Sequence, residues 1–276
     1  MFSNAYAIVS DYMHPVIFST RTIDKTVNSG LCAFIILNDE GWILTVAHAS
    51  IPLFEHQKHI QERKELEQLI AKSKRKRANT PKENPKWIHD ISYWWGKDST
   101  NMVDVKIDSD ADLMIGRLDP YDAKMVKSYP TIKNHTNNKF GTSLCKLGYP
   151  FYQISASFDD KKSIFVIPPN TFPIPRFPIE GIYTRDIIFV KPDGTGVKFI
   201  ETSSPGLKGQ SGGPIFDVKG NVWSIQSRTY HHPLGFNPKI KNVEENQFLN
   251  TGVGPHPKTI IDFLNTNGIK FNLSKE

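Results

Sequence analysis

Short runs of β-branched and aromatic residues, separated by turn-forming residues, recur along most of this 276-residue chain. Residues 33–37 and 42–46 flank the turn sequence Asn38-Asp39-Glu40-Gly41, a pattern typical of a β-hairpin. Further runs of this kind occupy residues 115–118, 143–147, 163–167, 187–190, 197–201, 215–218 and 222–226. Because no helical pattern lies between most of these runs, the sequence predicts an all-β fold, either an antiparallel barrel or a sandwich.

Three segments depart from this strand pattern. Residues 53–78 are charged and carry apolar residues at nearly helical spacing, which predicts an amphipathic helix inserted on the barrel. A short C-terminal helix is predicted at residues 259–264, since prolines precede this apolar-periodic stretch and a glycine follows it. Residues 168–178 contain five prolines, so this segment is expected to be a stiff surface loop.

The positive charge of the chain is concentrated in one segment. The formal net charge is +6, and residues 72–86 alone hold seven Lys or Arg residues against one Glu. The two signs balance elsewhere. Any nucleic acid or acidic partner recognised through charge is therefore expected at the Lys72–Arg77 cluster.

Apolar runs and cysteine usage indicate a cytoplasmic protein. The longest apolar run, residues 31–37, is far shorter than the roughly 20 residues that span a bilayer, so no membrane segment is predicted. Residues 1–25 contain no apolar core of a signal peptide. Cys32 and Cys145 each lie in an apolar run, which predicts buried thiols rather than a disulfide framework.

The most informative local motif is Lys-Gly-Gln-Ser-Gly-Gly-Pro at residues 208–214, between two predicted strands. A nucleophilic serine needs an exposed hydroxyl and backbone N–H groups that converge on the carbonyl oxygen under attack. Glycines on both sides permit positive φ and a close approach of substrate. We therefore predict Ser211 as a nucleophile, with the N–H groups of Gly209 and Ser211 forming an oxyanion hole.

A serine hydroxyl needs a general base at neutral pH, and the base needs a group that orients it. His48 follows the apolar strand pattern of residues 43–47 and is the predicted base. Asp112 stands at the start of the strand pattern that follows it, where it could orient His48. At this level of reasoning, Asp104, Asp108 and Asp110 remain open alternatives.

The order His48, Asp112, Ser211 along the chain is the order of chymotrypsin. Residues 41–48, 112–115 and 211–222 resemble the trypsin-like serine peptidase superfamily, and most closely its HtrA-like and glutamyl-endopeptidase-like bacterial branch. The Gly-Tyr-Pro sequence at 148–150 resembles a segment early in the second barrel of that branch. The Asp-Leu-Met-Ile sequence at 112–115 resembles the family's segment around the triad acid, which favours Asp112 over Asp110.

This resemblance implies a chymotrypsin-like fold of two six-stranded antiparallel β-barrels. The first, residues 1–125, would carry His48, Asp112 and the helical insertion, and the second, residues 126–276, would carry Ser211, the Pro-rich loop and the C-terminal helix. The implied activity is that of a serine endopeptidase acting on protein substrates through an acyl-enzyme. Neither a cofactor nor a metal is implied, because the histidine pairs of the sequence lack a third ligand at a suitable spacing.

The resemblance also indicates which residues contact substrate. It implies a substrate pocket walled by the segments around Leu207 and around Gln226, Ser227 and Arg228. No acid occurs at 205–207, so a preference for Lys or Arg is not indicated. Gln226 and Arg228 instead suggest a hydrogen-bonding or acid-accepting pocket.

Two further expectations concern regulation and an alternative role. The residue before the serine is Gln210, where the family's digestive enzymes carry an Asp, so activation by N-terminal cleavage is not expected. The alternative function is an inactive or weakly active protease-fold binding module, which would use the basic helix to engage nucleic acid or an acidic partner.

Overall fold

The structure is a computed structural model that describes residues 1–72, 82–241 and 243–275. A first sheet has the strand order β4-β1-β2-β3-β6-β5, and all its neighbouring strands are antiparallel. Its strands are β1 (Met13–Thr22), β2 (Val27–Ile36), β3 (Trp42–Thr45), β4 (Ile88–Trp95), β5 (Asn101–Asp108) and β6 (Leu113–Asp119).

The predicted hairpin at residues 33–46 is confirmed as β2 and β3, with Ile35 opposite Leu44. Its turn is held by Asn38, whose side-chain oxygen accepts the N–H groups of Glu40 and Trp42. Gly41 has a φ of +81°, which an L side chain rarely adopts. The turn residues of the sequence therefore fix where β3 begins.

A second sheet contains nine strands in the order β15-β18-β12-β11-β8-β13-β14-β7-β19. These are β7 (Thr131–Ile132), β8 (Ser143–Gly148), β11 (Phe177–Val190), β12 (Gly196–Thr202), β13 (Pro214–Phe216), β14 (Val222–Ile225), β15 (Arg228–Pro233), β18 (Phe248–Pro255) and β19 (Asn272–Leu273). Two hairpins lie outside it: β9 (Ser157–Asp159) with β10 (Ile164–Val166), and β16 (Lys239–Ile240) with β17 (Val243–Glu244).

This second sheet closes on itself. Two residues, Gln226 and Ser227, separate β14 from β15, so these strands form one interrupted stretch that pairs with β13 at one end and β18 at the other. Six antiparallel strands thus make a barrel, with the two-residue strands β7 and β19 added in parallel. The predicted fold class, chymotrypsin-like double-barrel architecture with a helical insertion and a C-terminal helix, is confirmed.

Two predicted boundaries were wrong. The helical insertion, α2, spans Ile51–Lys72 rather than residues 53–78. The predicted Pro-rich loop ends earlier than expected, because β11 begins at Phe177 and includes Pro178. At that point β11 pairs with β8 alone, so one edge is free and the missing N–H of a proline is tolerated there.

Residues 73–77 of the basic cluster lie outside the described residues. The proposed contact of the Lys72–Arg77 cluster with nucleic acid or an acidic partner therefore stays a prediction. The C-terminal helix, α3, spans Pro257–Thr266 and contains the predicted residues 259–264.

An N-terminal helix, α1 (Ser3–Tyr12), was not predicted from the sequence. It buries Ala5, Val9 and Tyr12, and the Tyr12 hydroxyl donates to the backbone oxygen of Gly220 at 3.4 Å. The first residues of the chain therefore pack against the second barrel.

Two further predictions from the sequence concern thiols and membrane segments. Cys32 and Cys145 are free and buried, as predicted. Among the described residues, no helix has the length and apolar character needed to cross a membrane.

Candidate active site

The ends of two neighbouring strands bring His48 and Asp112 together. β3 leads into a single 3₁₀ turn, Ala47–Ser50, that carries His48, and β6 begins directly after Asp112. The backbone N–H of Ala47 donates to the Asp112 carbonyl at 3.2 Å, and the N–H of His48 donates to Asp112 Oδ1 at 2.9 Å. Asp112 has a φ of +54°, a left-handed conformation that Asp tolerates better than most residues. These bonds fix the carboxylate relative to the histidine backbone.

The second oxygen of Asp112 faces the imidazole. Its Oδ2 lies 2.8 Å from His48 Nδ1 and accepts a hydrogen bond from Ser227 Oγ at 2.5 Å. Burial opposes ionisation of this carboxyl, but the hydrogen bonds from His48 and Ser227 outweigh it and hold the pKa of Asp112 below its usual value. An ionised carboxylate can only accept, so Nδ1 carries the proton and Nε2 of His48 presents its lone pair.

That lone pair points to Ser211, whose Oγ lies 2.9 Å from His48 Nε2. The backbone of Ser211 is anchored from the first barrel, because its carbonyl accepts the N–H of Ala33 at 2.7 Å. The following residues are anchored from the second barrel: Gly212 donates to the Gln226 carbonyl at 2.8 Å, and Gln226 donates to the Gly213 carbonyl at 2.7 Å. The serine therefore stands at the junction of the two sheets.

The residues before Ser211 form a tight turn. Gln210 N–H donates to the Leu207 carbonyl at 2.9 Å, and Gly209 has a φ of +94°, the values of a type II turn with glycine at its third position. A side chain on Gly209 would place its Cβ 2.4 Å from the Tyr149 carbonyl oxygen. In the described part of the chain, the N–H groups of Gly209 and Ser211 donate to no protein acceptor. Both are available to an oxyanion.

Gln210 and Gly148 support this turn. The Gln210 side chain is fully buried, and its Oε1 accepts the N–H of Leu207 at 2.9 Å. A Cβ on Gly148 would lie 2.7 Å from the Cα of Gln210. The Gly-Tyr-Pro segment thus packs directly against the nucleophile turn.

The acidic residues near Asp112 are engaged elsewhere. Asp110 pairs with Lys191 at 2.6 Å, and Asp104 pairs with Arg117 at 3.0 Å. Asp108 accepts the backbone N–H groups that follow it. Of the four candidate acids, Asp112 is the one that the structure places on His48.

The four residues predicted to contact substrate occupy different surroundings. Leu207 lines, with Gly209, a cleft of about 490 Å³ formed by residues 27–31, 151–154 and 207–209. Ser227 contacts Asp112 through its hydroxyl instead of facing an open pocket. The Arg228 guanidinium lies over two aromatic rings, at 5.1 Å from the centre of Phe199 and 5.4 Å from that of Phe189.

Gln226 is buried, with 2% of its surface exposed. Its Nε2 donates to the carbonyls of Arg228 and Val253 at 2.8 and 3.3 Å. The amide is close to a residue that the sequence reasoning missed, Lys146 of β8, which is only 1% exposed. A lysine inside the apolar run Leu144-Cys145-Lys146-Leu147 was the available signal.

Metal ligands were also considered. Within the described residues, no group of three His, Cys, Asp or Glu side chains could hold a metal ion. His56 lies 3.1 Å from the His89 carbonyl, and His232 pairs with Glu201 at 3.1 Å.

The fold is that of trypsin-like serine proteases, as the motif resemblance implied. No family model and no curated protein matches the sequence. Solved structures do match in fold: the HtrA-type protease AlgW with a decapeptide has a TM-score of 0.55 and 14% identity, over 96% of this chain and 67% of its own.

Two further solved structures show the same architecture. AlgW with a tripeptide has a TM-score of 0.52 and 16% identity, over 96% of this chain and 63% of its own, so this chain spans less than two thirds of that protein. The active form of the Rv3671c protease from M. tuberculosis has a TM-score of 0.50 and 13% identity, over 98% of this chain and 86% of its own.

Proposed function

We propose that this chain is a serine endopeptidase that cleaves peptide bonds of protein substrates through His48, Asp112 and Ser211. The observation that carries the proposal is the continuous hydrogen-bonded line from Asp112 through His48 to Ser211, with separations of 2.8 and 2.9 Å. It lies in a fold shared with HtrA-type proteases. Nucleophile, base and orienting carboxylate meet the geometric requirements of acyl transfer.

The reaction follows from these positions. Ser211 Oγ attacks the peptide carbonyl carbon while His48 Nε2 takes its proton, and Asp112 stabilises the imidazolium that forms. The carbonyl oxygen becomes an oxyanion that accepts the N–H groups of Gly209 and Ser211. His48 then protonates the leaving amine, the C–N bond breaks, and a water molecule hydrolyses the resulting ester by the same steps.

A free strand edge supports a peptide substrate. β15 pairs with β18 alone among the described strands, so the edge next to Ser227 is open beside the nucleophile. An extended peptide can add to such an edge through main-chain hydrogen bonds. Peptide ligands are seen in the AlgW structures, and by this proposal a protein segment binds here in the same extended form.

A fluorophosphonate activity probe tests the proposal directly. We expect the native protein to be labelled at Ser211, because the probe reports a serine activated by its neighbouring base. The Ser211→Ala variant should not be labelled, while Ser203→Ala, which removes an exposed serine eight residues away, should be labelled normally. A native protein that stays unlabelled while folded would contradict the proposed activity.

Ser227→Ala is expected to lower kcat about fivefold to tenfold with little change in KM, since a hydrogen bond to a charged group contributes about 1.5–3 kcal/mol and Ser227 donates to Asp112. Peptide hydrolysis by titrated enzyme would measure both constants. Ser224→Ala is the matched control, because it removes another buried serine hydroxyl, bonded to the Pro255 carbonyl at 2.6 Å. A rise in KM with kcat unchanged would instead assign Ser227 to substrate contact.

A further inference from the structure

Lys146 is a buried cation at the centre of the second barrel. Its strand neighbours are Ile179 on β11 and Ile215 on β13. Its ammonium donates to two backbone carbonyls, those of Ser204 at 2.5 Å and Pro205 at 3.1 Å. These carbonyls belong to the segment that leads into the nucleophile turn. The lysine therefore reaches from the barrel interior toward the active site.

No carboxylate balances this charge. Across the described ranges, no Asp or Glu oxygen lies within 4.0 Å of the Lys146 ammonium. The buried carboxylate of this barrel, Glu201, is bonded instead to Arg185 and His232 at 3.1 Å each. A buried cation held by neutral carbonyls alone is costly unless an anion joins it. Burial accordingly lowers the pKa of Lys146 to about 7.

The ammonium shares a small polar space with Gln226. A Cβ on Gly252 would lie 2.1 Å from Lys146 Nζ and 2.8 Å from Gln226 Oε1. The Gln226 Oε1 is buried, and in the described part of the chain it has no hydrogen-bond partner. Two glycines thus leave room that polar side-chain ends occupy, and one of those ends is unsatisfied.

The opposite wall of this space is formed by Gly206 and Thr229. A Cβ on Gly206 would lie 2.2 Å from Gln226 Nε2 and 2.9 Å from Thr229 Oγ1. The Thr229 hydroxyl donates to the Gly206 carbonyl at 2.7 Å across the gap. That hydroxyl can rotate toward a ligand, so the gap holds three potential donors: an ammonium, an amide and a hydroxyl.

This space lies beside the reacting serine. The backbone of Gln226 pairs with Gly212 and Gly213, and Gly206 precedes the turn that carries the oxyanion donors. A peptide strand added at the free edge of β15 would place the side chain next to the attacked carbonyl between Gly206 and Thr229. We call this residue, whose carbonyl is attacked, the P1 residue.

Resting on the proposed peptidase function, we propose that Lys146, together with Gln226 and Thr229, binds the carboxylate of an acidic P1 residue, so that the enzyme cleaves after Glu or Asp. The substrate supplies the anion that the buried ammonium lacks. Lys146 is then the residue that sets specificity, and Gln226 orients the carboxylate. Arg228, which packs over aromatic rings, is not needed for this recognition.

The charge on Lys146 makes this preference depend on pH. Below about pH 7 the free enzyme carries the ammonium, and above it the amine becomes neutral. The other titratable groups on the packed elements do not follow this titration: burial raises the pKa of Cys145 to about 11, and Glu180 is exposed opposite it. Glu201, on β12, stays ionised because its partners outweigh its burial and hold its pKa low.

Two fluorogenic peptides that differ only in Glu or Gln at P1 test the proposal on the unmodified enzyme. We expect kcat/KM for Glu to exceed that for Gln at least tenfold at pH 6.5, and the ratio to shrink as pH rises through 7 to 9. Titration of His48 affects both substrates equally and cancels in the ratio. A ratio of one or less at pH 6.5, or highest activity after Leu or Lys, would overturn the proposal.

The variant Lys146→Met assigns the preference. We expect the Glu-to-Gln ratio to fall to about one, while fluorophosphonate labelling of Ser211 persists. Lys133→Met is the control, because Lys133 is also buried but its ammonium lies 5.8 Å from the centre of the Trp223 ring, away from Gln226. A preference for Glu that survives in Lys146→Met would overturn the assignment.

The labelling result separates the two proposals. If the native enzyme is labelled but prefers Gln or an apolar P1 residue, the inference about Lys146 fails and the peptidase function stands. If the folded native enzyme is neither labelled nor active on any peptide, the proposed function fails and the inference fails with it.

Discussion

Asp112→Asn is expected to lower kcat by about 10⁴-fold, the size seen when the acid of a Ser-His-Asp triad becomes an amide. The carboxylate now accepts the Nδ1 proton of His48 at 2.8 Å. An amide that presents its NH₂ group there would favour the other tautomer, with the proton on Nε2, where it cannot accept the Ser211 hydroxyl. Steady-state hydrolysis of a peptide near pH 7 by purified, folded variant would measure the loss.

Asp110→Asn is the matched control for this substitution. Asp110 is two residues away and exposed, and it pairs with Lys191 at 2.6 Å rather than with His48. We expect its kcat to stay within about twofold of the native value, since an exposed ion pair contributes about 0–1 kcal/mol. Equal losses in the two variants would show that Asp112 does not orient His48.

The parts of this site that could be predicted from sequence are those whose chemistry imposes a local pattern. A turn with glycines on both sides of a serine and a histidine at a strand end are both short-range features, and both are found where the sequence placed them. The hairpin that delivers His48 was predictable for the same reason, since Asn38 and Gly41 mark its turn. Asp112 was harder, because its rivals lie within eight residues and only the pairing of β3 with β6 distinguishes them.

The parts that could not be predicted depend on contacts between distant segments. Lys146 is surrounded by Ile179 and Ile215, which lie 33 and 69 residues further along the chain. Its strand alone does not show which backbone carbonyls it reaches. The docking of α1 is similar, because Tyr12 meets Gly220, 208 residues away. Ser227 was expected to contact substrate, and its hydrogen bond to Asp112 emerges only when the two barrels meet.

Gly212→Ala is expected to destabilise the folded protein by about 3–5 kcal/mol, combining a left-handed backbone and overpacking. Gly212 has a φ of +78°, and an added Cβ would lie 2.0 Å from the Ala33 carbonyl oxygen and 2.4 Å from Thr45 Oγ1. Both neighbours belong to the first barrel, and the backbone oxygen cannot move without disturbing the bond from Ala33 N–H to the Ser211 carbonyl. Urea denaturation would give the change in unfolding free energy.

Gly194→Ala separates the two contributions. Gly194 has nearly the same φ, +81°, but an added Cβ there meets no atom within 4 Å. Its cost should therefore be that of the left-handed backbone alone, about 1 kcal/mol. Equal destabilisation by the two substitutions would mean that the overlap with Ala33 is relieved at no cost. A larger loss for Gly212→Ala, accompanied by weaker fluorophosphonate labelling, would mean that close packing of the two barrels at this glycine also holds Ser211 in its reactive position.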